Sequence, residues 1–298
     1  MKQLLILFTT LPLVLLLNCR QPVVQIIQSS GSIQAGNFLV YYQRTGYGQP
    51  LVLLHAGLQD HAMWDEQVKA LSTAYEVITP DLPYHGRTTG ADTNLLACDV
   101  IRVLLDSLRI QQVSIGGSSI GCMVAQDFVI AYPDRVDKAI FVSPSINAKD
   151  LPADSLSKAR YSLFMQAYEK KDTVKAARAF TKIWATGLRD EQPDSVRARV
   201  ELQVFNTTLA NLRHYKMGTG PRLQTSPPAF ERLSSITKPV LIIDGDKDLP
   251  FISYCAGILE KQVPGAVRKT IPGTAHMLNM EKPALFNDLL LSFLKRTQ

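Results

Sequence analysis

Gly117-x-Ser119-x-Gly121 is the part of this sequence whose residue types and spacing could do chemistry. It stands between a short apolar run, Val113-Ser114-Ile115, and a longer one from Ile120 to Tyr132 that Pro133 closes. The first reads as a strand and the second as a helix. A sharp strand-to-helix turn forces the residue at its tip into a strained backbone conformation. It also crowds the residues two positions away, which must therefore be small. Gly117 and Gly121 meet that demand around Ser119. Framed on Ser118, the flanking residues become Gly116 and Ile120, and the second is too large. A helix starting at such a turn also directs its first N–H groups toward developing negative charge. The chemistry implied is attack by the Ser119 hydroxyl.

A serine hydroxyl is a weak nucleophile near neutral pH and needs a base, itself oriented by a third group. The chain has five histidines: His55, His61, His85, His214 and His276. With an elbow of this kind, acid and base follow the nucleophile in the order Ser, Asp/Glu, His. That order leaves His214 and His276. His214 falls in a polar, helix-patterned stretch and reads as a surface residue. His276 ends Pro272-Gly273-Thr274-Ala275-His276, a loop after the last strand-like run, and is the candidate base. The acid belongs after the apolar run Val240 to Ile243, where Asp244, Asp246 and Asp248 stand at alternate positions. Sequence position alone does not choose among the three.

The elements that must position these groups follow a regular rhythm. Strand-like text at 38–42, 51–54, 75–79, 113–115 and 138–142 alternates with helical text at 97–108 and 120–132. Leu51-Val52-Leu53-Leu54 is apolar without a break, as in a strand buried on both faces of a parallel sheet. The rhythm stops near Ser145. Helical patterns at 155–170, 173–186 and 194–213 follow, and Pro227-Pro228 punctuates their end. It resumes with strands at 240–243 and 267–271 and helices at 254–261 and 283–294. The expected fold class is therefore α/β: a mostly parallel central sheet with helices on both faces, interrupted by a helical insertion. The expected division is a signal segment 1–18, a tether 19–35, a first core part 36–145, a helical cap 146–236 and a second core part 237–298.

On these residues the chain resembles the α/β-hydrolase family, in the branch of enol-lactonases, small esterases and carbon–carbon bond hydrolases. The resemblance runs from about Phe38 to Leu294. It is carried by His55-Ala56-Gly57 with Asp60, Met63 and Trp64; by Asp81-Leu82-Pro83-Tyr84-His85-Gly86-Arg87; by the serine elbow; by Gly245-Asp246-Lys247-Asp248-Leu249-Pro250; and by Gly273 to Met277. The resemblance implies Asp248 as the acid, the last position of the family's Gly-x-x-Asp. It implies an oxyanion hole made by the backbone N–H of Ile120 and of Gly57, with Ala56 standing where glycine is commoner. His55 is then structural, and Asp81, His85 and Arg87 brace a loop. The implied activity is cleavage of a small ester or lactone through an acyl-enzyme, with no metal or organic cofactor. Cofactor-free haloperoxidase-like chemistry, carbon–carbon bond hydrolysis, or a non-catalytic binding protein on the same scaffold are the alternatives. Relatives that use an aspartate nucleophile, the haloalkane dehalogenases and epoxide hydrolases, are disfavoured by Ser119.

Composition narrows the remaining classes. With 298 residues, 46% apolar and 19% charged, the chain can bury a sizeable core. The net charge is +6, yet Lys and Arg are interspersed with acids, as between Arg189 and Arg199, so no phosphate-tracking run points to nucleic acid. Leu4 to Leu17 is almost wholly apolar but shorter than the about 20 residues a membrane span takes. With Lys2 before it, the run suits a secretory signal. It ends in Leu16-Leu17-Asn18-Cys19, which resembles a bacterial lipobox apart from Asn18. That resemblance implies lipidation of Cys19 and an extracytoplasmic, membrane-attached protein, the alternative being a secreted or periplasmic one. Cys98, Cys122 and Cys255 are scattered, with no Cys-x-x-Cys and no His/Cys cluster, and are expected as buried thiols. The insertion offers Tyr161, Phe164, Met165, Tyr168, Phe180, Trp184 and Phe205 to core or pocket.

Overall fold

The computed structural model describes residues 27–91, 94–149, 151–213 and 225–295. The signal segment, Cys19 and His214 lie outside the described residues. In chain order the elements open with strands β1 (Ile27–Ala35), β2 (Phe38–Gly46) and β3 (Gln49–Leu54), helix α1 (Asp65–Leu71) and strands β4 (Tyr75–Pro80) and β5 (Thr89–Gly90). Helix α2 (Ala97–Ser107), β6 (Val113–Ser119), α3 (Ile120–Ala131) and β7 (Val136–Pro144) complete the first run. Between β7 and the next strand the elements among the described residues are helical: α4 (Ser155–Glu169), α5 (Thr173–Thr181) running into a π-helical turn Lys182–Thr186, α6 (Ser195–Asn211) and a 3₁₀ segment Ala229–Ser235. Strand β8 (Val240–Gly245), α7 (Pro250–Gln262), β9 (Val267–Ile271), the short α8 (Leu278–Glu281) and α9 (Pro283–Leu294) close the chain.

The strands form one sheet in the order β1-β2-β4-β3-β6-β7-β8-β9, with β5 added beside β2. Pairing is parallel from β4 through β9 and antiparallel around β2. Alternation along the central strands explains their unbroken apolar text. Leu51 and Leu53 of β3, Ile140 and Val142 of β7, and Leu241 and Ile243 of β8 enter a core that includes Phe286 and Leu290 of α9 and reaches the insertion. Val52 and Leu54, Ala139 and Phe141, and Val240 and Ile242 enter the core on the other face, with α2, α3 and part of α7. A strand covered on both faces has no polar side to show. Each fully buried Leu or Ile contributes about 1.5–3 kcal/mol.

The three insertion helices start in the same way. Asp154, Asp172 and Asp194 are N-caps whose carboxylates accept from the N–H of Ser157, Lys175 and Arg197. Pro250 and Pro283 open α7 and α9, where a missing N–H costs nothing.

Two elements differ from expectation. The tether read over 19–35 is corrected in its second half, because residues 27–35 form β1, paired antiparallel with β2 along nine residues. As an edge strand it has one neighbour and buries little, only Ala35 being fully buried, so it shows no hydrophobic period. Helix α1, which also escapes periodicity, buries only Gln67 and Leu71. Cys98, Cys122 and Cys255 are buried free thiols, and burial pushes Cys98 and Cys255 up to about 12. Among the described residues, no helix is long and apolar enough to cross a membrane.

Candidate active site

Ser119 is the last residue of β6 and the N-cap of α3, with φ 54° and ψ −111°. A positive φ in a non-glycine residue is strained, of order 1–3 kcal/mol, and marks functional turns. The glycines around it are sterically required. A Cβ on Gly117 would sit 2.2 Å from the Gly121 carbonyl oxygen, and one on Gly121 would sit 2.4 Å from that of Leu54. Ser118, one residue earlier, is fully buried, and its hydroxyl has no hydrogen-bond partner among the described residues. Ser119 is the partly exposed one of the pair.

The three aspartates after β8 have three different partners. Asp244 accepts from Arg268 and from the Thr270 hydroxyl, which ties β8 to β9. Asp246, at the surface, accepts from the Gly273 N–H at 2.5 Å and braces the loop before His276. Asp248 is buried, and its Oδ2 lies 2.6 Å from His276 Nδ1. A carboxylate can only accept there, so Nδ1 donates and Nε2 is left with its lone pair. Asp248 Oδ1 is itself fixed by the Leu249 N–H at 2.7 Å. The His276 backbone is held on both sides: its N–H donates to the Trp184 carbonyl at 3.2 Å, and its carbonyl accepts from the Ser143 hydroxyl at 2.8 Å.

Ser119, His276, Gly57 and Ile120 line one cavity of about 170 Å³. Ala56, Leu58, Tyr161, Phe164, Phe180 and Trp184 complete its wall, so among the described residues no Asp, Glu, Lys or Arg side chain lines it. Ile120 is the first residue of α3, where the helix N-terminus favours negative charge. Near Gly57, the Ala56 N–H is engaged by Met63 Sδ at 3.1 Å and the Gln59 N–H by the Ala56 carbonyl at 3.1 Å. Gly57 and Leu58 are therefore the central residues of a tight turn, and Leu58 has φ 54°. A Cβ on Gly57 would meet only Ile120, at 3.8 Å, so this glycine borders open space. Among the described residues, no group of three or more His, Cys, Asp or Glu is arranged to hold a metal ion.

His55 and His61 brace the loops beneath this turn. His55 Nδ1 donates to the Ala56 carbonyl at 2.8 Å and Nε2 accepts from the Leu82 N–H at 2.8 Å. Both ring nitrogens are thereby engaged, and burial lowers the pKa. Asp81 is buried and accepts from the His61 N–H, from His61 Nδ1 at 2.7 Å and from the Arg87 N–H at 2.8 Å. Burial works against the charge on His61, and Asp81 overcomes it, so His61 titrates above 6.5. A raised histidine pKa stabilises the fold fully below the unfolded value and loses that effect as pH rises through the folded value. The difference in Tm between the native protein and His61→Gln is thus expected to be largest below about pH 6.5 and to shrink as pH rises above it. A difference that stays constant as pH rises would show that the ion pair does not form.

Four residues outside the expected set hold the His276 loop. Trp184, in the π-helical turn, packs its ring 4.3 Å from the imidazole as well as accepting from its backbone. Arg189 pairs with Glu281 at 2.5 Å, both side chains buried, and donates to the Gly273 carbonyl at 3.0 Å. Glu281 accepts from the Ala275 N–H at 3.1 Å, and burial raises its carboxyl pKa although Arg189 opposes the shift. Ser143 supplies the fourth contact. No pattern in the sequence announces a salt bridge between residues 92 positions apart.

The α/β-hydrolase fold family model matches residues 49–283. The chain belongs to the α/β-hydrolase fold family. As a member, it is similar to carboxylesterase YbfK of Bacillus subtilis, 25% identical over 257 residues that cover 82% of this chain and 79% of that one. The crystal structure of that esterase superposes with a TM-score of 0.72, at 21% identity, over 91% of this chain and 92% of the other. A 2-hydroxy-6-oxononadienedioate/2-hydroxy-6-oxononatrienedioate hydrolase of Burkholderia vietnamiensis is 26% identical over 272 residues, 86% of this chain and 91% of its own. A bromoperoxidase structure from Bacillus anthracis has a TM-score of 0.68 and 24% identity, covering 91% of this chain and all of that one (100%). Within this α/β-hydrolase, the matched span holds Gly57, Ser119, Asp248 and His276 alike.

Proposed function

We propose that the protein is a serine hydrolase that cleaves small, uncharged carboxylic esters or lactones. One observation carries the reading: Ser119, held at positive φ, shares an apolar cavity with His276, whose Nδ1 is fixed by the buried Asp248. Ser119 Oγ attacks the substrate carbonyl carbon while His276 Nε2 takes its proton. The oxyanion accepts from the N–H groups of Gly57 and Ile120, each worth about 2.7–4 kcal/mol in the transition state. The imidazolium then protonates the leaving alkoxide, and the acyl group stays on Ser119. Water, deprotonated by His276, releases the acid and restores the hydroxyl.

The cavity supports the substrate class. At about 170 Å³ it lies below the roughly 300–1,000 Å³ usual for ligand pockets, which favours short acyl groups. Among the described residues its wall holds no Lys or Arg to meet a substrate carboxylate, which favours an uncharged ester over the dienedioate class of the Burkholderia relative. With p-nitrophenyl acetate, butyrate and octanoate and a carboxylate-bearing hemisuccinate ester, kcat/KM is expected to be highest for acetate or butyrate. It is expected to fall about 10-fold or more for the hemisuccinate. A preference for the hemisuccinate would overturn the assignment, as would failure of a fluorophosphonate probe to label Ser119.

A further inference from the structure

The turn that carries Gly57 is held from the insertion. Asn211, the last residue of α6, is buried, and all of its polar atoms are engaged by the core. Its Nδ2 donates to the carbonyls of Leu58 at 3.1 Å and Gln59 at 3.2 Å, and its Oδ1 accepts from the Gly86 N–H at 2.8 Å. A second tether lies one turn earlier on α6. Gln59 Nε2 donates to the Leu58 carbonyl at 3.0 Å and to Thr208 Oγ1 at 3.1 Å. The Leu58 carbonyl thus receives two side-chain donors, and one of them comes from a residue 153 positions away.

We propose that Asn211 is a positioning residue for the oxyanion donor at Gly57, so that seating of the insertion on the core completes the oxyanion hole. The inference rests on the serine-hydrolase reading above. The physical argument is the turn itself. Leu58 occupies the second central position at φ 54°, a conformation that favours glycine. Left alone, a leucine there relaxes toward negative φ, which rotates the Gly57–Leu58 peptide and, through the Gly57 backbone dihedrals, shifts the preceding Ala56–Gly57 peptide that carries the Gly57 N–H. Two donors on the Leu58 carbonyl resist that rotation, and Asn211 additionally ties the turn to the loop at Gly86. Since donors must meet the oxyanion and not the ground-state carbonyl, a misaimed Gly57 N–H weakens the transition state more than substrate binding.

The test compares kcat and KM for p-nitrophenyl butyrate with the affinities of two ketones of one acyl shape. A trifluoromethyl ketone adds Ser119 Oγ and forms the oxyanion. The matching methyl ketone only fills the cavity. Asn211→Ala is expected to lower kcat about 10- to 100-fold and to weaken the trifluoromethyl ketone by the same factor. KM and methyl ketone affinity should stay within about twofold. Asn211→Asp keeps the acceptor for Gly86 and loses both donors, and is expected to behave like Asn211→Ala. Gln59→Met removes only the second tether and should give a smaller loss of the same kind, about 3- to 10-fold. It carries the test if the Asn211 variants do not fold. Wild-type kcat and trifluoromethyl ketone affinity in the folded variants would overturn the proposal, as would a rise in KM and in the methyl ketone dissociation constant with kcat unchanged. Ser119→Ala, assayed alongside, separates the two levels: turnover surviving that substitution refutes the serine-hydrolase reading itself, whatever Asn211 does.

Discussion

Ser119→Ala is expected to lower kcat for a p-nitrophenyl ester by a factor on the order of 10⁴ to 10⁶, leaving only the rate that bound geometry and the oxyanion donors sustain. The substitution changes no backbone demand, because alanine meets the same strain at φ 54° as serine, so Tm should move little. Ser118→Ala makes the opposite pair. The Ser118 hydroxyl is buried without a partner among the described residues, and removing it relieves an unmet desolvation cost of about 1–3 kcal/mol. Its kcat should stay within about threefold of the native value and its Tm should hold or rise. Measured together, the two variants distinguish a chemical role from a structural one at adjacent residues. Near-native turnover in Ser119→Ala would end the acyl-enzyme mechanism.

Asp248→Asn should cost up to about 10⁴ in kcat with KM little changed. The amide can present an N–H where Nδ1–H now donates, which favours the wrong imidazole tautomer and withdraws the charge that stabilises the imidazolium. Asp246→Asn keeps an acceptor oxygen for the Gly273 N–H but loses the charge that strengthens that bond at an exposed site, and a Tm lowered by no more than about 2–4 °C with kcat within a few-fold is expected. Asp244→Asn disturbs the Arg268 and Thr270 contacts between β8 and β9, and its effect should again fall on stability. Should kcat collapse in Asp246→Asn and survive in Asp248→Asn, the acid is Asp246 and the hydrogen bond to His276 has another purpose.

Much of the fold is legible in the sequence, for identifiable physical reasons. The strands at 51–54 and 240–243 are buried on two faces, so their text is apolar at every position and stands out. The elbow is legible because Gly117 and Gly121 each face backbone within 2.5 Å of a would-be Cβ, a demand that leaves one residue type. The edge strand β1 was not, since one neighbour and a solvated face impose no period. The continuation of α5 into a π-helical turn was read as ordinary helix, because residue types do not record whether a carbonyl accepts from four or five residues on. The three aspartates after β8 share residue type and neighbourhood in the sequence. They differ only in what faces them: Arg268 and Thr270, Gly273, or His276. The contacts of Asn211 and Arg189 span 153 and 92 positions and leave no local trace.

The clasp between the π-helical turn and the His276 loop bears on how such proteins can be recombined. Trp184 and Arg189 reach out of the insertion to the backbone of His276 and Gly273 and to Glu281, and Leu188 donates to the Lys247 carbonyl beside Asp248. A chimera that exchanges the whole stretch between β7 and β8 for that of another fold member would therefore import new cavity walls and discard the contacts that hold the His276 loop. Grafts that preserve residues 182–189 together with Thr208 and Asn211 at the end of α6, and splice the rest of α4, α5 and α6 around them, keep the contacts to the His276 loop and to the Gly57 turn while the walls of the cavity are redesigned.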